Sequence, residues 1–400
     1  MYGLLKGLRV VEGAAFIAGP SCGLYFAQMG AEVVRFDAIG GGPDSRRWPL
    51  AQKNGASLYW EGLNKGKKSV AIDLGRPQGR ELAQRLATSG DGIFATNYPV
   101  EGFLSYAKLA AQRADLICLR VMGWADGTPA VDYTVNAAVG VPLMTGPAEF
   151  QGPVNHVLPA WDLLAGAYGA FTLLAAERER HNSGRGREIR LALSDIAAAT
   201  MGNLGQLAEV LAQKGDRPRS GNDLFGAFGR DFMTRDGKRL MVVAITRRQW
   251  EKLVEVLAIG QAVQAIEAAA GVSFAADEGA RFVHRQALNP VFEAGFAARD
   301  ANELAPLFDA AGVCWSRYQS LAQAAAQDER LFTGNEIFSE VAHPGGTYPT
   351  PGAAARLPQD KRQAALPSPR LGAHTDEILA EWLGMSSGEI GALHDQGLVA

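Results

Sequence analysis

The sequence predicts an α/β protein, a parallel sheet with helices packed on its faces. Two observations predict it. Short β-branched runs alternate with helix-length segments through the first third of the chain, at strand–helix–strand spacing. Glycine is also abundant, 47 of 400 residues, as the tight turns between such elements require. The length exceeds what one simple core accommodates and suggests two domains.

The elements follow in order. Leu-Arg-Val-Val at 8–11 reads as the first strand, GPSCGLYFAQMGAE as a helix from about Pro20 to Gly30, and Glu32 to Phe36 as the second strand. Ser69 to Leu74 reads as a third, then 76–88 as an amphipathic helix with Pro77 in its first turn. Gly92 to Ala95 and Leu116 to Val121 add two strands. Residues 162–181 form a long apolar helix that stops at the glycine turn SGRGR. Ile189 to Leu193 is then a strand and 194–214 a further helix. The stretch DRPRSGNDLFGAFGRD has the composition of a linker. Beyond it the pattern changes to a hairpin over Asp231 to Ala244, turning at Asp236-Gly237, and then short helices to about 325. Residues 338–372, rich in proline and glycine, read as extended, and the C-terminus as two short helices.

Bulk properties exclude several function classes. The net charge of -3, with no basic stripe or polybasic cluster, argues against nucleic acid and anionic membranes as partners. No apolar run spans a bilayer, and the N-terminal residues lack the pattern of a signal peptide, so a cytoplasmic location is expected. Cys22, Cys118 and Cys314 lie far apart in apolar surroundings. They predict neither a disulfide framework nor a metal site, but three buried small side chains.

Gly40-Gly41-Gly42 follows a strand but lacks both the Gly-x-Gly-x-x-Gly spacing and the Gly-Lys-Ser/Thr ending of phosphate loops, and reads as a turn. The cations nearby, Arg46, Arg47, Lys65, Lys67 and Lys68, suit an anionic ligand or a solvated basic loop. Asp162 stands just before the long apolar helix. An aspartate there serves as an N-cap. The same setting favours an ionised carboxylate and suits a nucleophile that attacks an activated acyl group. Such attack creates an oxyanion, for which the glycine-rich segment with Gly226 and Gly229 offers backbone donors.

Five segments, in order along nearly the whole chain, resemble the family III CoA-transferases (CaiB/BaiF type). They are GLRVVEGAAFIAGP…LAQMGAEVVRFD, LNKGKKSVAIDL, TNYP, PAWDLLAGAYGAFTLLAAERERHNSGRGREIRLALSD and PRLGAHTDEILAEWLG. The resemblance implies that Asp162 is the nucleophile and that the substrate is an acyl-CoA, with no cofactor or metal. It places Lys65, Lys67, Lys68, Asn97 and Tyr98 at CoA, and Ile17 and Tyr133 at the acyl group. Departures from the family pattern carry information. Ala38 stands where some members have a CoA-binding arginine, and Ile17 where formyl-CoA:oxalate enzymes have glutamine. Val131 stands where racemases have their histidine, which argues against that activity. His156, close to Asp162 in sequence, either lines the site or is structural. The segments IGGGPDSRRWP, LYWEGLNKGKKS, VDYTVN, VNHVLPAWD and GNDLFGAFGRDF point to a branch that moves CoA between the two carboxylates of one branched unsaturated C4 diacid. Arg46, Arg47 or Arg230 would hold the diacid's charge. Transfer to a separate free acid, and a CoA-binding scaffold without catalysis, are the competing readings. The family fold implies a Rossmann-like large domain built from both chain ends, a small inserted α+β domain and an interlocked homodimer. The boundaries then read 1–200 for the large CoA-binding domain, 201–230 for a linker, 231–325 for the small domain and 326–400 for the return.

Overall fold

The computed structural model describes residues 1–400. Along the chain, β1 (Arg9–Gly13), α1 (Ala18–Gln28), β2 (Glu32–Ala38), α2 (Leu58–Asn64), β3 (Lys68–Ile72), α3 (Pro77–Ala87), β4 (Ile93–Thr96), α4 (Tyr106–Gln112) and β5 (Ile117–Met122) alternate as expected. Next come α5 (Asp132–Ala138), α6 (Val141–Met144), α7 (Ala160–Ser183), β6 (Arg187–Ala192), α8 (Leu193–Asn203) and α9 (Gln206–Gln213). The helix read over 194–214 is in fact these last two. Gly205 takes a left-handed φ of +75° between them, a backbone state that ends a helix.

The chain divides into two compact units. One holds Met1–Val139, His156–Glu209 and Asn335–Ala400, and the other Gly140–Asn155 and Val210–Gly334. The first is built on a six-stranded sheet in the order β3-β2-β1-β4-β5-β6, parallel throughout. Val11 of β1 pairs with Val34 on one side and Phe94 on the other, so the central strands present apolar residues to helices on both faces. The core on one face gathers Val11, Val34, Phe36, Val70, Ile72, Leu82, Leu86 and Phe94 with Ile378, Leu379 and Ile390 from the C-terminal segment. Strand order reverses between β1 and β4. In such sheets the crevice outside the carboxyl ends of those two strands is where ligands bind.

The second unit carries the antiparallel sheet β7 (Phe228–Met233), β8 (Arg239–Ala244) and β9 (Cys314–Arg317), ordered β7-β8-β9. Residues Phe228 to Asp231, read as linker, are the start of β7. The predicted turn at Asp236-Gly237 is present, with Thr234 N–H bonded to Lys238 O at 2.8 Å. Helices α10 (Arg247–Leu257), α11 (Gly260–Ala270), α12 (Glu278–Val283), α13 (Arg285–Ala297), α14 (Ala301–Ala311) and α15 (Leu321–Gln327) surround an aromatic core of Phe228, Phe232, Trp250, Phe274, Phe292, Phe296 and Phe308. The return segment forms the hairpin β10 (Phe338–His343) and β11 (Gly346–Pro351), and the chain ends in α16 (Thr375–Leu383) and α17 (Ser387–Asp395). Cys22 and Cys118 are buried, but Cys314, expected to be buried, is exposed on β9. No helix is long and apolar enough to cross a membrane.

Candidate active site

A cavity of about 860 Å³ opens where the strand order reverses. Its walls come from the turn after β1 (Ala15 to Ala18), the turn after β4 (Asn97 to Glu101), the ends of β5 and β6, and the start of α5. Arg47, Tyr59, Tyr133 and Asp162 complete it.

Asp162 is the third residue of α7, not its cap; Pro159 stands at the cap position and offers no side-chain acceptor. The capping role falls to Asp132, at the start of α5. Its Oδ2 accepts the amides of Trp161 at 2.7 Å and Asp162 at 3.1 Å. This second carboxylate, only 2% exposed, frees the Asp162 side chain to face the cavity. Burial pushes the Asp162 carboxyl up to about 7. The nearby Asp132 charge adds to the rise, and the Arg47 cation opposes it. The group is thus poised between acid and carboxylate near neutral pH, where catalytic carboxyls are found.

Arg47 lies with its guanidinium 5.5 Å from the Phe16 ring and 5.3 Å from the Tyr59 ring. It stays open to solvent between two aromatic faces, close enough to act on the Asp162 charge, so an incoming anion can reach it. The Tyr59 hydroxyl is buried without a hydrogen-bond partner, and burial pushes its pKa up to about 12. It therefore stays protonated at neutral pH, as a donor.

Asn97 lines the cavity and ties the turn after β1 in place. Its Oδ1 accepts the Ala15 amide and its Nδ2 donates to the Ala15 carbonyl, both at 3.1 Å. This two-bond clasp holds the next residue, Phe16, at a left-handed φ of 67°, strained for a side chain of that size. Ile17, Tyr98 and Tyr133 line the cavity, and the Tyr133 hydroxyl donates to Val157 O at 3.2 Å.

The other candidates lie elsewhere. Arg46 is exposed and outside the cavity wall. His156 is behind the site, with Nε2 3.2 Å from an Asn136 Oδ1 that also accepts from Trp161 Nε1 at 3.2 Å. Lys67 is a correction. It is fully buried, with its ammonium bonded to Glu12 at 2.8 Å, Pro20 O at 2.8 Å and Asn64 at 3.0 Å, so it has no free donor for a phosphate. Lys65 is also buried, donating to Gly62 O at 2.7 Å, and burial lowers its pKa to about 8. Lys68 pairs with Glu32 at 2.6 Å and Glu377 at 2.5 Å. Gly226, Gly229 and Arg230 belong to the second unit, where Arg230 lies 3.9 Å from Asp223 and 3.6 Å from Glu293. No cluster of three or more His, Cys, Asp or Glu side chains is arranged to hold a metal. Asp132, Tyr59 and Phe16 were missed as site residues. For Asp132 a signal existed, an aspartate at the head of the short helical pattern DYTVNAA.

Comparison with known proteins gives a consistent result. Residues 5–375 match the sequence profile of CoA-transferase family III. The chain is 48% identical to the 2-methylfumaryl-CoA isomerase of Chloroflexus aurantiacus, over 100% of this chain and 98% of that protein. It is 27% identical to the succinyl-CoA:glutarate CoA-transferase of Mus musculus, over 99% of this chain and 90% of that one. Among solved structures, a CAIB/BAIF family protein from Brucella suis superposes with a TM-score of 0.76 at 24% identity, covering 95% of this chain and all of that one, a likeness of fold.

Proposed function

The chain belongs to CoA-transferase family III, and on that premise we propose that it moves coenzyme A between the two carboxylates of 2-methylfumaryl-CoA (mesaconyl-CoA), with Asp162 as the covalent nucleophile. The observation that carries the chemistry is Asp162 itself: a carboxyl without a hydrogen bond to its side chain, at the head of a helix and facing a cavity, with its pKa near neutrality. The Asp162 carboxylate attacks the C1 thioester carbonyl and CoA leaves as the thiolate, giving a mixed anhydride. The thiolate attacks the aspartyl carbonyl of that anhydride. This forms an Asp162–CoA thioester and frees the C1 carboxylate. The C4 carboxylate then attacks the aspartyl thioester, expelling the thiolate and forming the C4 anhydride. Attack of the thiolate on the C4 carbonyl releases the C4 thioester and restores Asp162.

Because the acceptor carboxylate is part of the donor molecule, a cavity that holds the diacid gains a large effective molarity. Arg47, beside Asp162, holds the carboxylate that is not reacting, and Ile17 and Tyr133 border the acyl group. The turn at Asn97 and Tyr98 borders CoA. The active form is a homodimer. Leu163, Leu164, Tyr168 and Phe171 are exposed large apolar residues on α7, a helix face that a second copy would cover.

The test is incubation with the C1 thioester, with and without isotopically labelled free diacid, followed by chromatography and mass spectrometry. Conversion to the C4 thioester without label is the expected result. Label in the product would mean transfer to a separate free acid, the activity named for the relative from mouse.

A further inference from the structure

A group of five charged side chains is sealed beneath the cavity's edge. Arg35 on β2 is 1% exposed. Its Nε and Nη2 grip Asp37 at 2.8 and 2.7 Å, and Nη2 also reaches both oxygens of Asp44 at 3.1 and 2.9 Å. Its Nη1 lies 3.5 Å from Glu12, which pairs with Lys67. The Arg35 guanidinium stacks 4.5 Å from the Trp60 ring. Buried charge of this kind adds little net stability, since a well-packed apolar replacement often does as well. What the group does provide is geometry, and its reach to Asp44 shows where that geometry is used.

Asp44 is not part of the sheet. It follows Gly40-Gly41-Gly42, where Gly40 and Gly41 take φ of +86° and +87°. Three glycines in succession lose much backbone entropy when ordered, so the segment needs an anchor on its far side. Asp44 is that anchor. Its carboxylate is held by Arg35, and its carbonyl accepts the Arg47 amide at 3.3 Å and the Ser57 hydroxyl at 3.3 Å. Ser57 Oγ also donates to Arg47 O at 2.6 Å and accepts the Trp60 amide at 3.1 Å, which caps α2, the helix carrying Tyr59. A chain of direct contacts thus runs from the interior cation to Arg47 and to one of the two rings that flank it.

We propose that Arg35, acting through Asp44, is a positioning residue for the transfer reaction: the buried pair fixes the turn that carries Arg47 and so sets where the substrate's second carboxylate is held. This inference rests on the reading of Arg47 given above. Asp44→Asn keeps the shape and leaves Arg35 compensated by Asp37 and Glu12, so the fold survives while the grip on the turn weakens. Where Asp44→Asn does not fold, Ser57→Ala loosens the same turn from its far side, by removing the bond from Ser57 Oγ to Arg47 O, and the same two readouts apply.

Two measurements test the proposal. Hydrogen exchange of peptides covering 40–50 reads the turn without any substrate; Asp44→Asn should exchange faster there and unchanged in β1 and β4. A double-mutant cycle with Arg47→Gln reads the reaction. Asp44→Asn should lower kcat/KM for the isomerisation by about 10-fold in the native background, and by less than about 2-fold when Arg47 is already Gln. Unchanged exchange over 40–50 overturns the proposal whatever the substrate proves to be. Losses that multiply in the double variant overturn it too, because Asp44 would then act on something other than Arg47. Faster exchange combined with an Arg47→Gln variant of native activity overturns it through the Arg47 reading, while leaving the Asp162 chemistry standing.

Discussion

Asp162→Asn should abolish turnover and, above neutral pH, make the protein more stable. A carboxyl that ionises at about 7 in the fold, against its ordinary value of 3.8, binds its proton more tightly when folded. Its folded state is therefore penalised as pH rises from about 4 through 7, with the full cost present above that range and none below it. The conversion of 1.36 kcal/mol per pH unit sets an upper limit of about 4 kcal/mol. The carboxyl borders an open cavity, and solvent screening reduces the figure to about 1–2 kcal/mol. Asparagine fills the same space without ionising. For a chain of this length, its melting temperature should exceed the native one by about 1–3 °C at about pH 8.5, and match it at about pH 4. Differential scanning calorimetry of both proteins at the two pH values measures this, with the C1-to-C4 thioester assay run alongside. A variant whose gain is the same at both pH values, or that is less stable at the higher one, would refute burial and the Asp132 charge as the cause of the raised pKa. A variant that still turns over would refute Asp162 as nucleophile.

Asp132→Asn keeps an oxygen for the Trp161 and Asp162 amides but removes the charge, so Asp162 should ionise at lower pH. The acid limb of kcat/KM should move down by about 0.5–1 pH units in a pH–rate profile. Gly166→Ala places a methyl 2.7 Å from Ser21 Cβ and 3.0 Å from Ala18 O, where α7 meets α1, and should cost about 1–3 kcal/mol, read as a fall in melting temperature. Phe292→Ala opens the second unit's core, where Phe292 lies 4.4 Å from Phe228 and 5.4 Å from Trp250. It should cost about 3–5 kcal/mol in denaturant unfolding.

Much of the fold was legible because its signals are local. Five of the six strands of the parallel sheet centre on β-branched or apolar runs, β6 (REIRLA) being the exception, and α7 announces itself by length and by its glycine stop at Gly184, with φ +68°. Elements with weak local signals were missed. Among them are α2 and α5, each seven residues long, and β9, which is four residues and mostly exposed. The break between α8 and α9 was missed because glycines such as Gly202 and Gly205 are tolerated inside a helical pattern, and nothing local says which one ends it.

Asp162 was singled out by its place before an apolar helix, and that place is a property of the sequence. Its chemistry is not. Its pKa is raised by burial first and then by Asp132, 30 residues earlier, and is opposed by Arg47, more than 100 residues away, which only the turn after β2 brings to the cavity. The lysines show the same division. A run of cations reads as a basic loop, yet Lys67 points into the interior toward Glu12 while Lys68, its neighbour, reaches Glu32 and Glu377 at the surface. Successive residues at a strand's entry face opposite ways, and which way is inward depends on pairing of β3 with β2. Local pattern thus determined the elements, and with them the position of Asp162 at the head of its helix. Register and chain crossing, which act between residues distant in sequence, decided which charges face the cavity and which are sealed beneath it.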